Sequence, residues 1–294
     1  MKNTHHSEYG KIKSIYIKPI AEGFVSQQVV TTQWEELNYL DQPNFEDALK
    51  EYAQFEKKIK STGANVSYFK ESPDVTMDSI YCIDASFSTD FGIILCHMGK
   101  AGKVNEPDAC LNIYKEADEK ILGRIEAPGT IEGGDVAWIN PKTLAIGRTY
   151  RTNDNGIKQM KKFLEPHGIR VITVDLPHYK GKSDVFHLMS IFSPVDKDLA
   201  VVYSPLMPIT FREFLLEHGY EFIEVPEEEF ETMGCNVLAT APRECLMVEG
   251  NPITKSRLEE AGAILFTYKG KEISVKGGGG PTCLTRPMIR EIEG

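Results

Sequence analysis

Five side chains that could take part in chemistry stand at similar places in a pattern that repeats along this 294-residue chain. They are Asp84, Glu132, His187, Asn236 and Cys283, and each follows a helical segment and a strand-like segment. Counted from the glycine that ends each helical segment, the distance is 21, 19, 17 and 21 residues to Asp84, His187, Asn236 and Cys283, but only 9 to Glu132. If the repeats surround an axis, side chains at equivalent positions converge on one central cavity.

A cysteine and a histidine in one cavity can perform nucleophilic catalysis. Cys283 would attack as a thiolate, which nearby positive charge favours. His187 would be the general acid and base, and Glu132 could orient it or raise its basicity. The remaining carboxylates would disfavour a thiolate unless the substrate is itself a cation, and a guanidinium donates paired hydrogen bonds to carboxylates. The chemistry is therefore attack on a guanidinium carbon, loss of an amine protonated by His187, and hydrolysis of the sulfur-linked intermediate.

Each of these residues also has an ordinary structural interpretation. Asp84 lies inside an apolar run, where a charge is uncommon unless it is paired or functional. The Glu-Gly-Gly-Asp segment from Glu132 to Asp135 could be an acidic turn, and His187 could be a core histidine. Cys283, behind four glycines, could be a small buried hydrophobe. Their agreement in repeat position favours the functional interpretation of the set.

The elements that must position these residues form a repeat of one amphipathic helix with several short apolar strands. Helices are predicted at 45–60, 111–122, 156–164, 209–216 and 256–261, and the glycines that end them are Gly63, Gly123, Gly168, Gly219 and Gly262. Glycine after a helix commonly adopts the left-handed conformation that ends it. A period of roughly 45–60 residues favours a closed radial array, because closure leaves few exposed sheet edges. An ordinary α/β fold is the alternative.

Composition narrows the class of protein. The net charge of −10 argues against a nucleic-acid partner, because phosphate binding favours an excess of Lys and Arg. No apolar run approaches the ~18 residues of a membrane span, and the first residues lack a signal-peptide core. The six cysteines have no CxxC spacing, which argues against a zinc site. Without a signal, the thiols are expected to stay reduced in the cytoplasm.

Two further expectations concern the ends and the organisation of the chain. His5 and His6 stand in a polar terminus and are expected on the surface rather than on a metal. No Pro/Ser-rich linker divides the sequence, so residues 1–294 are expected to form a single domain.

Taken in order, the motifs resemble those of the guanidine-modifying enzymes of the pentein, or α/β-propeller, superfamily. That superfamily includes arginine deiminases, dimethylarginine dimethylaminohydrolases and amidinotransferases, and the resemblance covers almost the entire chain. Its landmarks are Ser7-Glu8-Tyr9-Gly10, the segment from Asp78 to Asp84, Glu132-Gly-Gly-Asp135, His187-Leu188, and the glycine run that ends at Pro281-Thr282-Cys283. The resemblance implies a five-bladed α/β propeller of ββαβ-type repeats around a central active-site cavity.

The resemblance also implies roles for individual residues. Cys283 would be the nucleophile, His187 the acid and base, and Glu132 a third catalytic residue that contacts the guanidinium. The substrate-binding residues would be Asp78, Asp84, Lys103, Arg151 and Asp135, with Arg151 placed for a substrate carboxylate. No cofactor and no metal are implied. The partner would be a small cationic guanidino compound such as arginine, and a homodimer is left open.

Three functions fit this set of residues. The first is a cysteine-dependent hydrolase of arginine or a methylated arginine, which would give citrulline and an amine or ammonia. The second is an amidinotransferase, and the third is a non-catalytic propeller like the ribosome anti-association factors, which the presence of the catalytic set disfavours. Two positions depart from relatives. Met189 stands where deiminases and amidinotransferases have an aspartate, and Thr282 stands where several relatives have His or Arg.

Overall fold

The computed structural model describes residues 1–184 and 186–293. Val185, two residues before the predicted site histidine, and Gly294, the last residue of the predicted domain, lie outside the described residues. Within the described ranges the strands form one four-stranded sheet and four three-stranded sheets. The five-unit α/β propeller predicted from the repeat is therefore confirmed.

The first sheet joins the two ends of the chain. Its strands, in spatial order, are β1 (Lys2–Thr4), β16 (Thr285–Ile292), β2 (Lys11–Ile17) and β3 (Asn65–Tyr68). β16 is antiparallel to β2, and β2 is parallel to β3. The last strand of the chain therefore completes the first unit. Because β16 begins two residues after Cys283, this closure also anchors the loop that carries the cysteine.

The four three-stranded sheets share one construction. Two antiparallel strands with a short connection are followed by a helix and a third strand, which pairs in parallel with the second. A parallel pair requires such a crossover, because both strands run in the same direction. In chain order the sheets are β4 (Ser86–Thr89), β5 (Gly92–Leu95) and β6 (Ile121–Arg124); β7 (Val136–Asn140), β8 (Thr143–Arg148) and β9 (Arg170–Asp175); β10 (Phe192–Pro194), β11 (Leu199–Val202) and β12 (Glu221–Glu224); and β13 (Leu238–Ala241), β14 (Glu244–Val248) and β15 (Ile264–Tyr268).

Eight α-helices lie in the described residues, and five of them are the crossovers between the second and third strand of a unit. The crossover helices are α3 (Phe45–Ser61), α4 (Glu106–Glu116), α5 (Asp154–Leu164), α6 (Ile209–Glu217) and α8 (Pro252–Glu260). The shorter helices α1 (Ile20–Gly23), α2 (Gln27–Gln33) and α7 (Glu227–Phe230) lie in connecting segments. Amide side chains cap two of the crossovers, because Asn44 and Asn153 accept hydrogen bonds from backbone N–H groups of the first turn.

Four of the five predicted helix-ending glycines have the expected left-handed backbone. Gly63, Gly168, Gly219 and Gly262 have φ values of 77°, 78°, 81° and 82°. The prediction for the second unit is wrong: Gly123 lies inside β6, and α4 ends at Glu116. There Asp118 takes the left-handed conformation with φ of 56°. Aspartate tolerates this region better than most residues with a side chain, so no glycine is needed at this helix end.

The core fills the space between each sheet and its helix. In α5, Ile157, Met160 and Leu164 follow one another at helical spacing and pack in one cluster with Leu144 and Ile146 of β8. The same pattern of apolar crossover helix and continuous apolar strand recurs in the other units. Each sheet is therefore stabilised by apolar side chains buried between it and its crossover helix. The loops before the first strands are not needed for this packing and can form a site.

The amino-terminal histidines are more buried than predicted. His6 is 2% exposed, and its ring stacks on Trp138 with ring centroids 3.9 Å apart. Its Nε2 accepts a hydrogen bond from the backbone N–H of Asp90 at 3.0 Å, and its Nδ1 lies 3.0 Å from the carbonyl oxygen of Pro141. The prediction of a surface position is wrong for His6, because an aromatic platform distant in sequence covers it; His5 is partly buried.

Across the described residues, none of the helices combines the length and the apolar character that crossing a bilayer requires.

Candidate active site

The polar residues of the repeat stand just before the first strand of each unit. Asp84, Asn236 and Cys283 each precede their strands β4, β13 and β16 by two residues, while Glu132 and His187 precede β7 and β10 by four and five. The short sequence distance to Glu132 arises because Gly123 does not end a helix. Side-chain atoms of Asp84, Glu132 and His187 lie within 4.8 Å of one another. Because each of these residues stands just before the first strand of its unit, residues from different units come together.

His187 and Glu132 form a buried pair. The Nε2–H of His187 donates to Oε2 of Glu132 at 2.9 Å, and the backbone N–H of His187 donates to Oγ of Ser190 at 3.1 Å. Burial alone would lower the pKa of His187, but Asp135, Glu132 and Asp84 together raise it to about 9. The imidazole therefore carries a proton at neutral pH and can act as an acid.

Asp84 is held beside this histidine as an ionised carboxylate. Its Oδ2 accepts a hydrogen bond from Nζ of Lys103 at 3.0 Å, and its Oδ1 accepts one from the backbone N–H of Gly134 at 3.1 Å. Burial would raise the pKa of Asp84, but the charges of Lys103 and His187 lower it to about 2. The site therefore contains a fixed negative charge beside the imidazolium.

Cys283 differs from the other cysteines in its exposure and contacts. Of the six cysteines, all within the described residues, five are buried and Cys283 is partly exposed. Its Sγ accepts a hydrogen bond from Nδ2 of Asn236 at 3.3 Å. The amide orientation is determined, because Oδ1 of Asn236 accepts from N and Oγ1 of Thr282 at 3.1 and 2.7 Å. A Cβ atom on Gly280 would lie 2.5 Å from Cγ of Asn236, so glycine is required for this approach.

The acidity of Cys283 reflects opposing effects. Burial is the largest cause that raises the pKa of this thiol, and the negative charge of Asp84 adds to it. Hydrogen bonds from Asn236 and Thr282 oppose the rise by stabilising the thiolate. A cation bound beside the sulfur would also lower the pKa of the thiol, as these hydrogen bonds do. The arrangement therefore favours a thiol that is activated when a cationic ligand arrives.

Cys283 and His187 face a cavity of about 240 Å³. Much of its wall is apolar, including Phe186, Met189, Phe230 and Met233, and Asn236 is among its polar groups. A cleft with apolar walls and a few converging polar groups is typical of a small-molecule site. Asp84 and Glu132 do not line the cavity; they lie behind its wall, next to His187, which does line it.

Asp78 and Lys103, both predicted to bind substrate, lie in interior ion pairs. Oδ2 of Asp78 contacts Nζ of Lys100. Nζ of Lys103 lies between Asp84 and Oε2 of Glu106, which is 3.5 Å away. Burial would lower the pKa of Lys103, but Glu106 and the aspartates hold it well above its usual range. Burial also raises the pKa of Glu106 to about 8.

Arg151, predicted to meet a substrate carboxylate, lies at the edge of the site. Its Nη1 is 3.6 Å from Oε2 of Glu132, and its Nη2 donates to the carbonyl oxygen of Asp184 at 3.5 Å. It borders a second cavity of about 560 Å³, which shares Asn38 and Ser183 with the cysteine cavity. The guanidinium of Arg151 is therefore within reach of a ligand that extends from one cavity into the other.

Asp135, the fifth predicted substrate-binding residue, lies against the backbone that follows His187. Its Oδ2 accepts from Oγ1 of Thr149 at 2.7 Å, and its Oδ1 accepts from the backbone N–H of Leu188 at 3.0 Å. Burial raises the pKa of Asp135 to about 6, although the charge of His187 opposes the rise. This geometry suits a residue that positions the backbone next to His187 more than one that contacts a ligand.

Three residues of the site could in principle bind a metal ion. Asp84, Glu132 and His187 each offer one ligand atom at suitable separation. The ammonium of Lys103, 3.0 Å from Asp84 Oδ2, already places a positive charge on one of these ligands. The donor set is therefore better suited to hold a proton on His187 than to hold a metal ion.

Two residues of the site make contacts that the sequence does not predict. The repeat pattern places Asn236 at the central cavity, but its contact with Cys283 depends on a pairing with Thr282 46 positions away. Lys100 gave no signal beyond its charge, although it contacts Asp78 and its backbone N–H donates to Oε1 of Glu132 at 2.8 Å.

Comparison with known proteins adds a family and named relatives. The sequence model of the family described as N,N dimethylarginine dimethylhydrolase, eukaryotic, matches residues 28–290. An arginine deiminase of Mycoplasma capricolum is 27% identical over an alignment that covers 91% of this chain and 76% of the relative. An N(G),N(G)-dimethylarginine dimethylaminohydrolase of Pseudomonas aeruginosa is 24% identical, with 84% of this chain and 91% of the relative covered.

Solved structures share the fold. The dimethylarginine dimethylaminohydrolase of Pseudomonas aeruginosa, solved as a cysteine-to-serine mutant complexed with citrulline, has a TM-score of 0.76 at 21% identity and covers 94% of this chain and 98% of its own. The N-terminal domain of ArgZ, a cyanobacterial arginine dihydrolase bound to its product, has a TM-score of 0.79 at 19% identity, with 94% and 97% covered. At these identities the similarity establishes the architecture, and the chemistry must be argued from the residues.

Proposed function

This chain belongs to the N,N dimethylarginine dimethylhydrolase family of the pentein superfamily, and from that premise we propose that it is a cysteine-dependent hydrolase of a guanidino group. The observation that carries the proposal is one cavity faced by both Cys283 and His187, with the carboxylates of Asp84 and Glu132 beside the imidazole. The names of two relatives make arginine and methylated arginines the first substrates to test. We further propose that residues 1–294 act as one catalytic domain, because β16 completes the first sheet.

The first half of the proposed reaction forms a bond to sulfur. The guanidinium binds between Sγ of Cys283 and the imidazole, where Asp84 and Glu132 provide negative charge. Its positive charge lowers the pKa of the thiol, whose proton passes to solvent. The thiolate attacks the guanidinium carbon, and the carbon–nitrogen bond breaks as His187 gives its proton to the departing nitrogen. Ammonia or an amine leaves, and a cationic amidino group stays on Cys283.

The second half returns the enzyme to its starting state. The imidazole of His187 is now neutral and removes a proton from a water molecule as that water attacks the amidino carbon. The carbon–sulfur bond breaks and the thiolate leaves; the new hydroxyl group gives up its proton, which restores the thiol of Cys283, and the product is a urea derivative such as citrulline when arginine is the substrate. Asn236 donates its amide hydrogen to the sulfur in both halves, so it stabilises the thiolate as nucleophile and as leaving group.

The proposal is tested by product analysis with no added amine. The chain is incubated with arginine, monomethylarginine and dimethylarginine, and ammonia, methylamine, dimethylamine and the ureido product are measured. We expect equal amounts of amine and ureido product from at least one guanidino compound, and none from Cys283→Ser. Activity that survives in Cys283→Ser would refute the proposal. Turnover that begins only when an amine acceptor is added would assign the chain to the amidinotransferases instead.

A further inference from the structure

Arg151 forms an ion pair with Glu132, the carboxylate that accepts the hydrogen bond of His187. Nη1 of Arg151 lies 3.6 Å from Oε2 of Glu132, and the same oxygen accepts from Nε2 of His187 at 2.9 Å. The side chains of Arg151 and Glu132 are 6% and 0% exposed, so their attraction is screened little by salt. One carboxylate oxygen thus receives both the imidazole and a guanidinium of the protein itself.

The turn that carries Arg151 is built against the segment from Glu132 to Asp135. The backbone N–H of Thr149 donates to the carbonyl oxygen of Thr152 at 3.0 Å, which closes the turn. The hydroxyl of Thr152 accepts from the backbone N–H of Glu132 at 3.2 Å, and the hydroxyl of Thr149 donates to Asp135 at 2.7 Å. Three side chains of the turn therefore support this segment, and the contact of Arg151 with Glu132 belongs to that set.

Further contacts fix the guanidinium of Arg151 in this position. Its Nη2 donates to the carbonyl oxygen of Asp184 at 3.5 Å, and its backbone N–H donates to Oγ1 of Thr149 at 3.0 Å. A Cβ atom on Gly99 would lie 2.5 Å from the carbonyl oxygen of Arg151, so the two backbone segments pack directly on each other. The fold therefore sets the position of the guanidinium, as it sets that of the carboxylate it contacts.

Two of the carboxylates near the imidazole of His187 have a cation of the protein as partner. The pairs are Asp84 with Lys103 and Glu132 with Arg151. Each cation offsets part of the negative charge that would otherwise hold the proton on the imidazole. Partial neutralisation suits a histidine that must give a proton to the departing nitrogen and then take one from water.

We propose that Arg151 is a positioning residue that acts on His187 through Glu132, rather than a residue that binds a substrate carboxylate. It holds the side chain and the charge of Glu132 in the state from which His187 releases its proton. This role differs from the substrate contact that the family resemblance implies for Arg151. The inference rests on the proposed guanidine hydrolysis and changes none of its bonds.

Removal of the guanidinium weakens the acid. Within the described residues, the imidazole of His187 is then the remaining cation in ion-pair contact with the buried carboxylate of Glu132. The carboxylate either takes the proton of His187 or holds it more tightly. Both changes impair transfer of that proton to the departing nitrogen. A positioned acid contributes about 10²- to 10⁴-fold to a rate, so a partial loss should lower kcat at least about tenfold.

Steady-state kinetics of Arg151→Met test the inference with the arginine or methylated arginine that the wild-type chain hydrolyses fastest. We expect kcat to fall at least about tenfold while KM changes by less than about twofold. Arg151→Gln should show the same pattern and replaces Arg151→Met if that variant does not fold. Arg151→Lys keeps a cation near Glu132, so its kcat should lie closer to wild type. The control Arg148→Met removes an arginine whose ion pairs with Asp154 and Asp175 are exposed, and both constants should be unchanged.

A binding measurement separates the two roles of Arg151 without turnover. Calorimetry gives the Kd of the same substrate for Cys283→Ser and for Cys283→Ser/Arg151→Met. We expect the two Kd values to agree, because the substrate carboxylate makes no contact with Arg151. A carboxylate contact would raise Kd in the double variant by about tenfold or more. Agmatine, which has no carboxylate, serves as the control ligand for general damage to the site.

The outcomes separate this inference from the proposed function. An unchanged kcat in Arg151→Met overturns the inference, and so does a KM or Kd that rises about tenfold for the carboxylate substrate, the size of one charge-assisted hydrogen bond. A kcat for Arg151→Lys no higher than that for Arg151→Met overturns it as well. In each case the hydrolase proposal stands. If the wild-type chain hydrolyses no guanidino compound, the proposed function fails, and the inference fails with it.

Discussion

The contact between Asn236 and Cys283 predicts a measurable change in thiol acidity when the amide is replaced. Asn236→Asp keeps the shape of the side chain and an oxygen that can accept from N and Oγ1 of Thr282. The variant loses the N–H group that donates to Sγ at 3.3 Å. A hydrogen bond to a charged group contributes about 1.5–3 kcal/mol, which corresponds to roughly one to two pKa units.

The new carboxylate acts in the same direction. An ionised aspartate 3.3 Å from a thiolate would repel it by about 5 kcal/mol at an effective dielectric constant of about 20. Part of this repulsion is avoided if the aspartate takes up a proton, so the loss of the donor sets the minimum effect. We therefore expect the pKa of Cys283 to rise by at least about one unit in Asn236→Asp.

The assay is the rate of alkylation of Cys283 by iodoacetamide as a function of pH, with the modified peptide identified by mass spectrometry. The other five cysteines are buried, so Cys283 reports selectively. Since only the thiolate reacts, the rate near pH 7.5 should fall at least about tenfold and recover at high pH. Asn65→Asp makes the same chemical change at an exposed position and should leave the profile unaltered. A profile for Asn236→Asp that superimposes on wild type would refute the reasoning.

Three further predictions follow from the same site. The pKa of His187 is about 9 in the folded protein, against an ordinary value of 6.5. The protonated ring therefore stabilises the fold fully below pH 6.5. This contribution, up to about 3 kcal/mol, is lost as pH rises through 9. Urea unfolding at pH 6 and pH 9.5 should show a larger decline in wild type than in His187→Gln; equal declines would contradict the assignment. Gly280→Ala brings a Cβ within 2.5 Å of Asn236 and should lower kcat at least about tenfold while circular dichroism is unchanged; wild-type kcat would argue against the close approach. Thr282→Ser should retain the hydroxyl contact with Asn236 and the alkylation profile. Thr282→Val should slow alkylation by less than Asn236→Asp does, and the reverse order would contradict the assignment of Asn236 as the main hydrogen-bond donor to the sulfur of Cys283.

The repeat could be predicted because its signals are local. Gly63, Gly168, Gly219 and Gly262 each end a helix at a positive φ, which few other residues adopt easily. The same rule failed at Gly123, because Asp118 makes the turn and Gly123 continues a strand. Propensity alone does not distinguish a glycine that ends a helix from one that a strand tolerates. The number of units was nevertheless correct, since each one also carries an apolar strand after its helix.

The candidate site was less predictable because its important contacts join distant parts of the chain. The residue types at Asp84, Glu132, His187 and Cys283 suggested a cation-binding site with a nucleophile, and their assignment to catalysis remains a prediction. Lys100 reaches Asp78 22 positions away, and nothing in the local sequence indicates that contact. Whether a carboxylate meets a ligand or a resident lysine is decided by packing between units, which the sequence pattern does not encode.

The most direct test of the account is the detection of a covalent intermediate on Cys283. The enzyme is mixed with a guanidino substrate, quenched in acid at short times, and analysed by intact mass and peptide mapping. We predict an added amidino group on the peptide that contains Cys283, which forms and decays at rates consistent with turnover and is absent in Cys283→Ser. Product formation with no adduct on this cysteine at any time, together with turnover by Cys283→Ser, would contradict the central claim.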